Sequence, residues 1–188
     1  MKSRSSKFRI HFIFISLVLL GVVVLSCENK MPVIAKSDLL TLPALSAKGV
    51  VMILNDSGRI QLILTSPLIE QYDKADPKFS EFRSGLKVDL YNGKESPEAK
   101  VTAKYGKCTD NNLWELRDSV VVINEKNEKL ETELLFWNQE KDHIYTDRFV
   151  KITSEDEIIQ GIGFESDSHL LSRKILKVTA EITMPDEK

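Results

Sequence analysis

The chain has 188 residues, 42% of them hydrophobic and 29% charged, with a formal net charge of −2. That length holds one sizeable domain plus appendages. Its 26 Lys and Arg against 28 Asp and Glu supply no cationic excess for nucleic acid, whose binding rests on those cations.

Residues 1–26 stand apart from the rest. Lys2, Arg4, Lys7 and Arg9 form a basic start without an acidic residue, and an apolar run from Ile10 to Leu25 follows. This predicts a lipoprotein signal peptide or a membrane anchor, short for a span that needs about 20 apolar residues. The run closes on Val24-Leu25-Ser26-Cys27, which resembles a bacterial lipobox. Its chemistry makes Cys27 the lipid attachment site: diacylglycerol on the thiol, cleavage before it, and acylation of the new amino terminus. Two or more chains anchor stably where one does not. Cleavage removes four basic and no acidic residues, taking the net charge from −2 to −6. Cys108 is then alone, so no internal disulfide forms and the core must supply stability.

Residues 27–48, with Pro32 and Pro43 and no sustained period, read as a tether. The folded domain is expected over 49–184, with a tail at 185–188. Val50 to Leu54 and Ile60 to Leu64 flank Asn55-Asp56-Ser57-Gly58, a hairpin with a four- to five-residue loop. Pro67 to Pro77 reads as irregular. Leu86 to Leu90 alternates as a half-buried strand, and Ala99 to Tyr105 alternates again with Ala99, Val101, Ala103 and Tyr105 inward.

The stretch from Leu116 to Phe164 is written twice. Without a gap, Asp118 to Leu135 lies over Asp147 to Phe164 at an offset of 29. Val121 then meets Val150, Ile123 meets Ile152, Val120 meets Phe149 and Leu135 meets Phe164. Each copy is a β-branched strand, a charged turn and a return strand, the pattern of a hairpin array. Gly161 and Gly163 stand where the first copy has Thr132 and Leu134, so they are expected to be strand glycines that a close approach or a bend requires. Bulk should cost less at Thr132. The last segment, Ser172 to Thr183, alternates Leu176, Val178, Ala180 and Ile182 with polar residues, which makes it a strand. No apolar stretch of the mature chain sustains a helical period over three turns, so the fold is all-β.

Catalytic and metal-binding patterns are not found. His143 and His169 fall in turns, and structural zinc wants four N or S ligands at tight spacing. Tyr105-Gly106-Lys107-Cys108 lacks the flanks of a phosphate loop. The large aromatics Trp114, Phe136, Trp137, Phe149 and Phe164 are either core or the lining of an acyl-chain groove. The groove candidates are Val121, Ile123 and Trp137 with Phe149, Val150, Ile152 and Phe164. An open hairpin array leaves unpaired edges that invite strand addition. Val51, Ile53 and Leu62 are the candidates at one edge, and Leu176, Val178 and Ile182 at the other.

Seven segments in order carry a family resemblance. They are Asn55-Asp56-Ser57-Gly58, Ser66 to Tyr72, Phe82 to Gly85, Thr102 to Gly106, Leu134 to Asn138, Ile144 to Val150, and Gly161 to Asp167. On these the chain resembles the LptC family, the periplasmic component of the lipopolysaccharide export ABC transporter, in its lipobox-bearing branch. The resemblance implies a twisted, open β-jellyroll of two antiparallel sheets around a hydrophobic groove, with no cofactor and no catalysis. It implies lipopolysaccharide as cargo, the inner-membrane transporter subunits and a periplasmic jellyroll bridge protein as partners, and a place at the periplasmic face of the inner membrane. Family members often keep an uncleaved membrane helix, and a lipidated Cys27 would replace it. The rival reading is a glycan- or lipid-binding β-sandwich lipoprotein, which for glycans requires exposed aromatics on one face.

Overall fold

The computed structural model describes residues 42–91, 93–110, 112–167 and 172–183. The signal segment, Cys27, most of the tether, His169 and the tail at 185–188 lie outside the described residues. Strand-forming alternation produces β1 (Leu45–Asp56), β2 (Arg59–Tyr72), β3 (Phe79–Phe82), β4 (Leu86–Leu90), β5 (Ala99–Ala103) and β6 (Tyr105–Thr109). The doubled stretch supplies β7 (Leu113–Asn124), β8 (Lys129–Asn138), β9 (His143–Thr153) and β10 (Glu157–Ser166), and β11 (Lys174–Thr183) closes the series. All pairings are antiparallel.

The topology is a folded meander. β3 and β4 are two halves of one strand broken at Arg83 to Gly85, and β5 and β6 are halves of another broken at Lys104. β2 pairs with β4 through Leu62 to Thr65 and with β3 through Glu70 to Tyr72. β7 likewise pairs with β5 through Val121 to Asn124 and with β6 through Trp114 to Arg117. The long strands therefore belong to two half-sheets at once, one holding β4 and β5 and the other β3 and β6. A crease runs across the strands between them. The result is a twisted, open β-jellyroll, with β1 at one end of the strand order and β11 at the other.

Bulges and buried hydroxyls make the crease. β7 bulges between Arg117 and Val120, with Asp118 and Ser119 at φ 62° and 56°. Gly49, Gly85 and Gly163 supply positive φ on other strands, which glycine adopts without steric cost. The Ser66 hydroxyl donates to the Gly85 carbonyl at 2.7 Å, with the Leu68 carbonyl at 2.9 Å. Thr132 donates to the Phe149 carbonyl at 2.9 Å, and Thr146 Oγ1 accepts from Arg148 N–H at 3.1 Å. These three are among the few buried polar side chains.

Several expectations are corrected here. The first strand starts at Leu45 and not near Gly49, because residues 45 to 48 already pair with Gln71 to Leu68. The first hairpin loop is only Ser57-Gly58, both at positive φ, the mark of a tight two-residue turn. β2 runs on to Tyr72, so strand structure replaces the expected irregularity up to that point. Pro67 is tolerated because β2 changes partner beside it, where no ladder N–H is required. Tyr105 faces outward, since the break at Lys104, whose N–H donates to Asp118 O, resets the alternation.

The repeat is real, but its offset changes. Burial and pairing match Leu116, Val120 and Val122 to Thr146, Val150 and Ile152, an offset of 30. They match Leu130, Thr132 and Leu135 to Ile159, Gly161 and Phe164, an offset of 29. The first turn spans residues 125–128 and the second 154–156, one residue shorter. An ungapped alignment hides that deletion, and a slip of one residue exchanges the two faces of a strand.

If the Ser66 hydroxyl holds the crease, Ser66→Ala leaves a buried carbonyl short of its donor. The unfolding free energy should fall by about 1–3 kcal/mol in urea titrations. A loss below about 0.5 kcal/mol, the range of a neutral surface change, would remove the hydroxyl from the account of the bend.

Candidate functional site

The interior between the half-sheets is continuous and apolar. Leu64, Val88, Val101, Val122, Leu130 and Ile152 line the half holding β4 and β5. Ile69, Phe82, Leu116, Leu135, Ile144 and Phe164 line the other. Of the groove candidates, Val150, Ile152 and Phe164 are buried in this interior, and Trp137 packs against it partly buried. Val121, Ile123 and Phe149 are not in it. They lie on the outer face, Phe149 at 51% exposure, because the one-residue shift of the repeat turned that strand over. The interior positions that sequence missed on β7, Val120 and Val122, were marked by their own period-two spacing from Leu116.

Val121 and Phe149 instead line an outer cleft of about 960 Å³. Its walls mix Glu115, Glu131 and Glu133 with Arg117, Arg148 and Lys151, and Arg117 is paired with Glu115 at 2.7 Å. Charges of both signs make it unsuited to an acyl chain.

Exposed apolar side chains concentrate at the two ends of the meander. β1 presents Val51, Met52, Ile53 and Leu54 at 42–60% exposure, and β11 presents Leu176, Val178 and Ile182 at 49–57%. Among the described residues β1 pairs only with β2, and β11 only with β10. Leu62 is not an edge residue: it sits on β2 between Leu54 of β1 and Leu90 of β4.

Gly161 and Gly163 both meet β11. A Cβ at Gly161 would lie 2.6 Å from the Lys177 carbonyl oxygen, and Gly163 holds φ 80° against Leu176. Thr132 is no tolerant counterpart, since it is 6% exposed and stitches the crease.

On the outer face, Arg83 pairs with Glu81 at 2.8 Å and donates to Tyr72 Oη at 2.9 Å, while Tyr105 Oη donates to Glu81 at 2.6 Å. Burial alone would raise the Glu81 carboxyl, but the hydrogen bonds from Tyr105 and Arg83 outweigh it and hold it below its ordinary range. The same burial, with that bond, pushes Tyr105 up to about 12. His143 stacks on Tyr145 at 5.1 Å. Among the described residues, no three of His, Cys, Asp and Glu gather as metal ligands would.

The family model described as "Lipopolysaccharide-assembly, LptC-related" matches residues 12–180. The chain belongs to the LptC family. LptC proteins serve lipopolysaccharide transport at the inner membrane and in the periplasm and are not enzymes. A comparison with curated proteins returned no match. Among the described residues of this LptC protein, no helix is long and apolar enough to cross a membrane.

Cys108 reports on the closure of the interior. Burial pushes its thiol up to about 12 from 9.0, which lowers the thiolate fraction at pH 8 by about a thousandfold. The Cys108 peptide should therefore stay unalkylated by iodoacetamide in the folded protein and become labelled after denaturation, as read by mass spectrometry. Rapid labelling in the folded state would mean that the thiol is not held in an apolar, closed environment.

Proposed function

We propose that this protein binds the acyl chains of lipopolysaccharide between its half-sheets. It relays them from the inner-membrane ABC transporter to the next periplasmic jellyroll protein, for assembly of the outer membrane. The observation that carries this reading is the division of apolar surface: a continuous interior and two exposed, apolar edge strands. A long edge with four successive exposed apolar residues, as in Val51 to Leu54, is an aggregation hazard unless a partner strand covers it. Strand addition at β1 and at β11 joins the protein to one partner at each end. The glycan reading is weaker, because Phe149 alone of the aromatics is exposed among the described residues, and one ring makes no stacking face.

The tether enters β1, so β1 is the edge nearest the transporter and β11 faces the bridge protein. Photocrosslinkers at Ile53 and Val178 test this in cells. Ile53 should capture the transporter's periplasmic domains and Val178 the bridge protein; the reverse pattern, or one partner captured at both sites, refutes the polarity.

Cys27 is proposed as the lipid anchor, on the basic start, the apolar run and the small residue before the cysteine. Mass analysis of membrane-derived protein should find a peptide beginning at acylated Cys27. A chain that still begins at Met1 would mean the apolar segment itself is the anchor.

A further inference from the structure

We propose that the bound lipid has a fixed direction, with the carbonyl oxygens of its acyl linkages held by a rung of donors at one end of the interior. This deepens the acyl-binding reading above and rests on it.

The rung is continuous across the half-sheet holding β3 and β6. Ser80 lies opposite Cys108, Cys108 opposite Trp114 and Trp114 opposite Trp137. Trp137 lies opposite Ile144, and Ile144 opposite Ser166. All share the inward face, two residues along each strand from Phe82, Gly106, Leu116, Leu135 and Phe164. Two strand residues span about 7 Å, so the donor rung lies that far from the layer next to the crease. That layer is apolar except for Thr146, whose hydroxyl oxygen accepts from the Arg148 N–H.

Three polar atoms on this rung are inaccessible to solvent and have no hydrogen-bond partner among the described residues. They are Nε1 of Trp114, Nε1 of Trp137 and Oγ of Ser166. Ser166 is only 4% exposed as a residue. Buried donors without acceptors are uncommon in folded proteins, and each calls for an explanation. Here three fall on one rung of one half-sheet, on the face turned to the interior assigned to acyl chains. Nor are the rings free to turn toward water: Phe82 stacks on Trp114 at 5.7 Å, and Trp114 on Trp137 at 6.4 Å. Their N–H groups are fixed in place before any ligand arrives.

The donors also select the ligand group. An indole N–H can only donate, so the partner must offer acceptors. The six residues of the rung named above are all uncharged, which favours a neutral acceptor over a phosphate, whose recognition draws on Arg and Lys. The carbonyl of an acyl ester or amide fits, since it sits where an apolar chain meets a polar head. The tail then runs from the rung toward the Phe82 and Phe164 layer.

The sequence contains two tryptophans, so selective ¹⁵N labelling of the full chain gives two indole signals to read. Purified lipopolysaccharide is added in alkyl-maltoside micelles, which lack carbonyl groups. Both indole N–H signals should move downfield and exchange more slowly, together with contacts from acyl protons to Leu135 and Phe164. Acyl contacts with unmoved indole signals would overturn the rung while leaving the binding reading intact. No acyl contact at all would overturn both. A second measurement compares a monoacylglycerol with the matching monoalkylglycerol ether, which lacks the carbonyl. The ester should bind roughly three- to tenfold tighter, the yield of a neutral hydrogen bond, and Trp114→Phe with Trp137→Phe should abolish that preference. Equal binding of the two lipids by the unmodified protein would also overturn the proposal.

Discussion

Every long strand of this protein has to turn from one half-sheet into the other without stranding its backbone hydrogen-bonding groups. A bulge bends a strand but disrupts the ladder at that point, and on the buried side of the crease, at Ser66, Thr132 and Thr146, water cannot repair the loss. Strand by strand the chain supplies one of two remedies. β1 and β10 use Gly49 and Gly163, and β7 uses Asp118 with Ser119, all at positive φ. β2, β8 and β9 use the hydroxyls of Ser66, Thr132 and Thr146, which bond the backbone groups that the bend frees. These hydroxyls are tolerated in an apolar core because they are satisfied. Without them the meander would be a flat sheet with no enclosed interior.

The bend also shapes the edges. β1 changes direction at Gly49, and β11 carries a register shift opposite Gln160 and Gly161. A straight strand could follow only one arm of either edge, since strand pairing needs continuous register. A second sheet creased in the same way can follow both. The folded edge therefore discriminates by shape, while Lys174 and Lys177 on β11 add charges that oppose indiscriminate pairing. Exposed apolar residues such as Val178 can then persist on the edge without inviting indiscriminate pairing.

Much of this was legible in the sequence. Period-two alternation identified β4, β5 and β11, and the doubling identified the hairpins of β7 to β10. What alternation cannot carry is phase across an interruption. At Lys104 the strand breaks and Tyr105 leaves the interior, although it continues the pattern of Ala99, Val101 and Ala103. Between the two copies of the repeat a single missing turn residue puts Val121 and Phe149 on the outer face, while Val150 and Phe164 are buried. Residues 67–72 read as irregular because their partners, Leu45 to Lys48 of β1 and the short β3, are not evident locally. The donor rung was invisible for a related reason. Trp114, Trp137 and Ser166 are brought together by register across several strands, and no local spacing encodes it.

On the acyl-binding proposal, filling the interior requires it to open, and the topology decides how. The half-sheets are joined through strands that cross the crease; among the described residues no ladder links them elsewhere. Separating their far ends breaks apolar contacts but no backbone hydrogen bonds, so the crease can act as a hinge. The lost contacts are of the kind an acyl chain restores, at about 0.8 kcal/mol for each methylene buried. A chain of a dozen methylenes then returns on the order of 10 kcal/mol, against side-chain contacts of similar nature that it displaces. The exchange of core for cargo is close to balanced, and neither loading nor unloading faces the full cost of exposing a lipid to water. In the relay proposed above, direction then comes from outside the fold, from a partner at one edge that supplies lipid and another at the far edge that removes it.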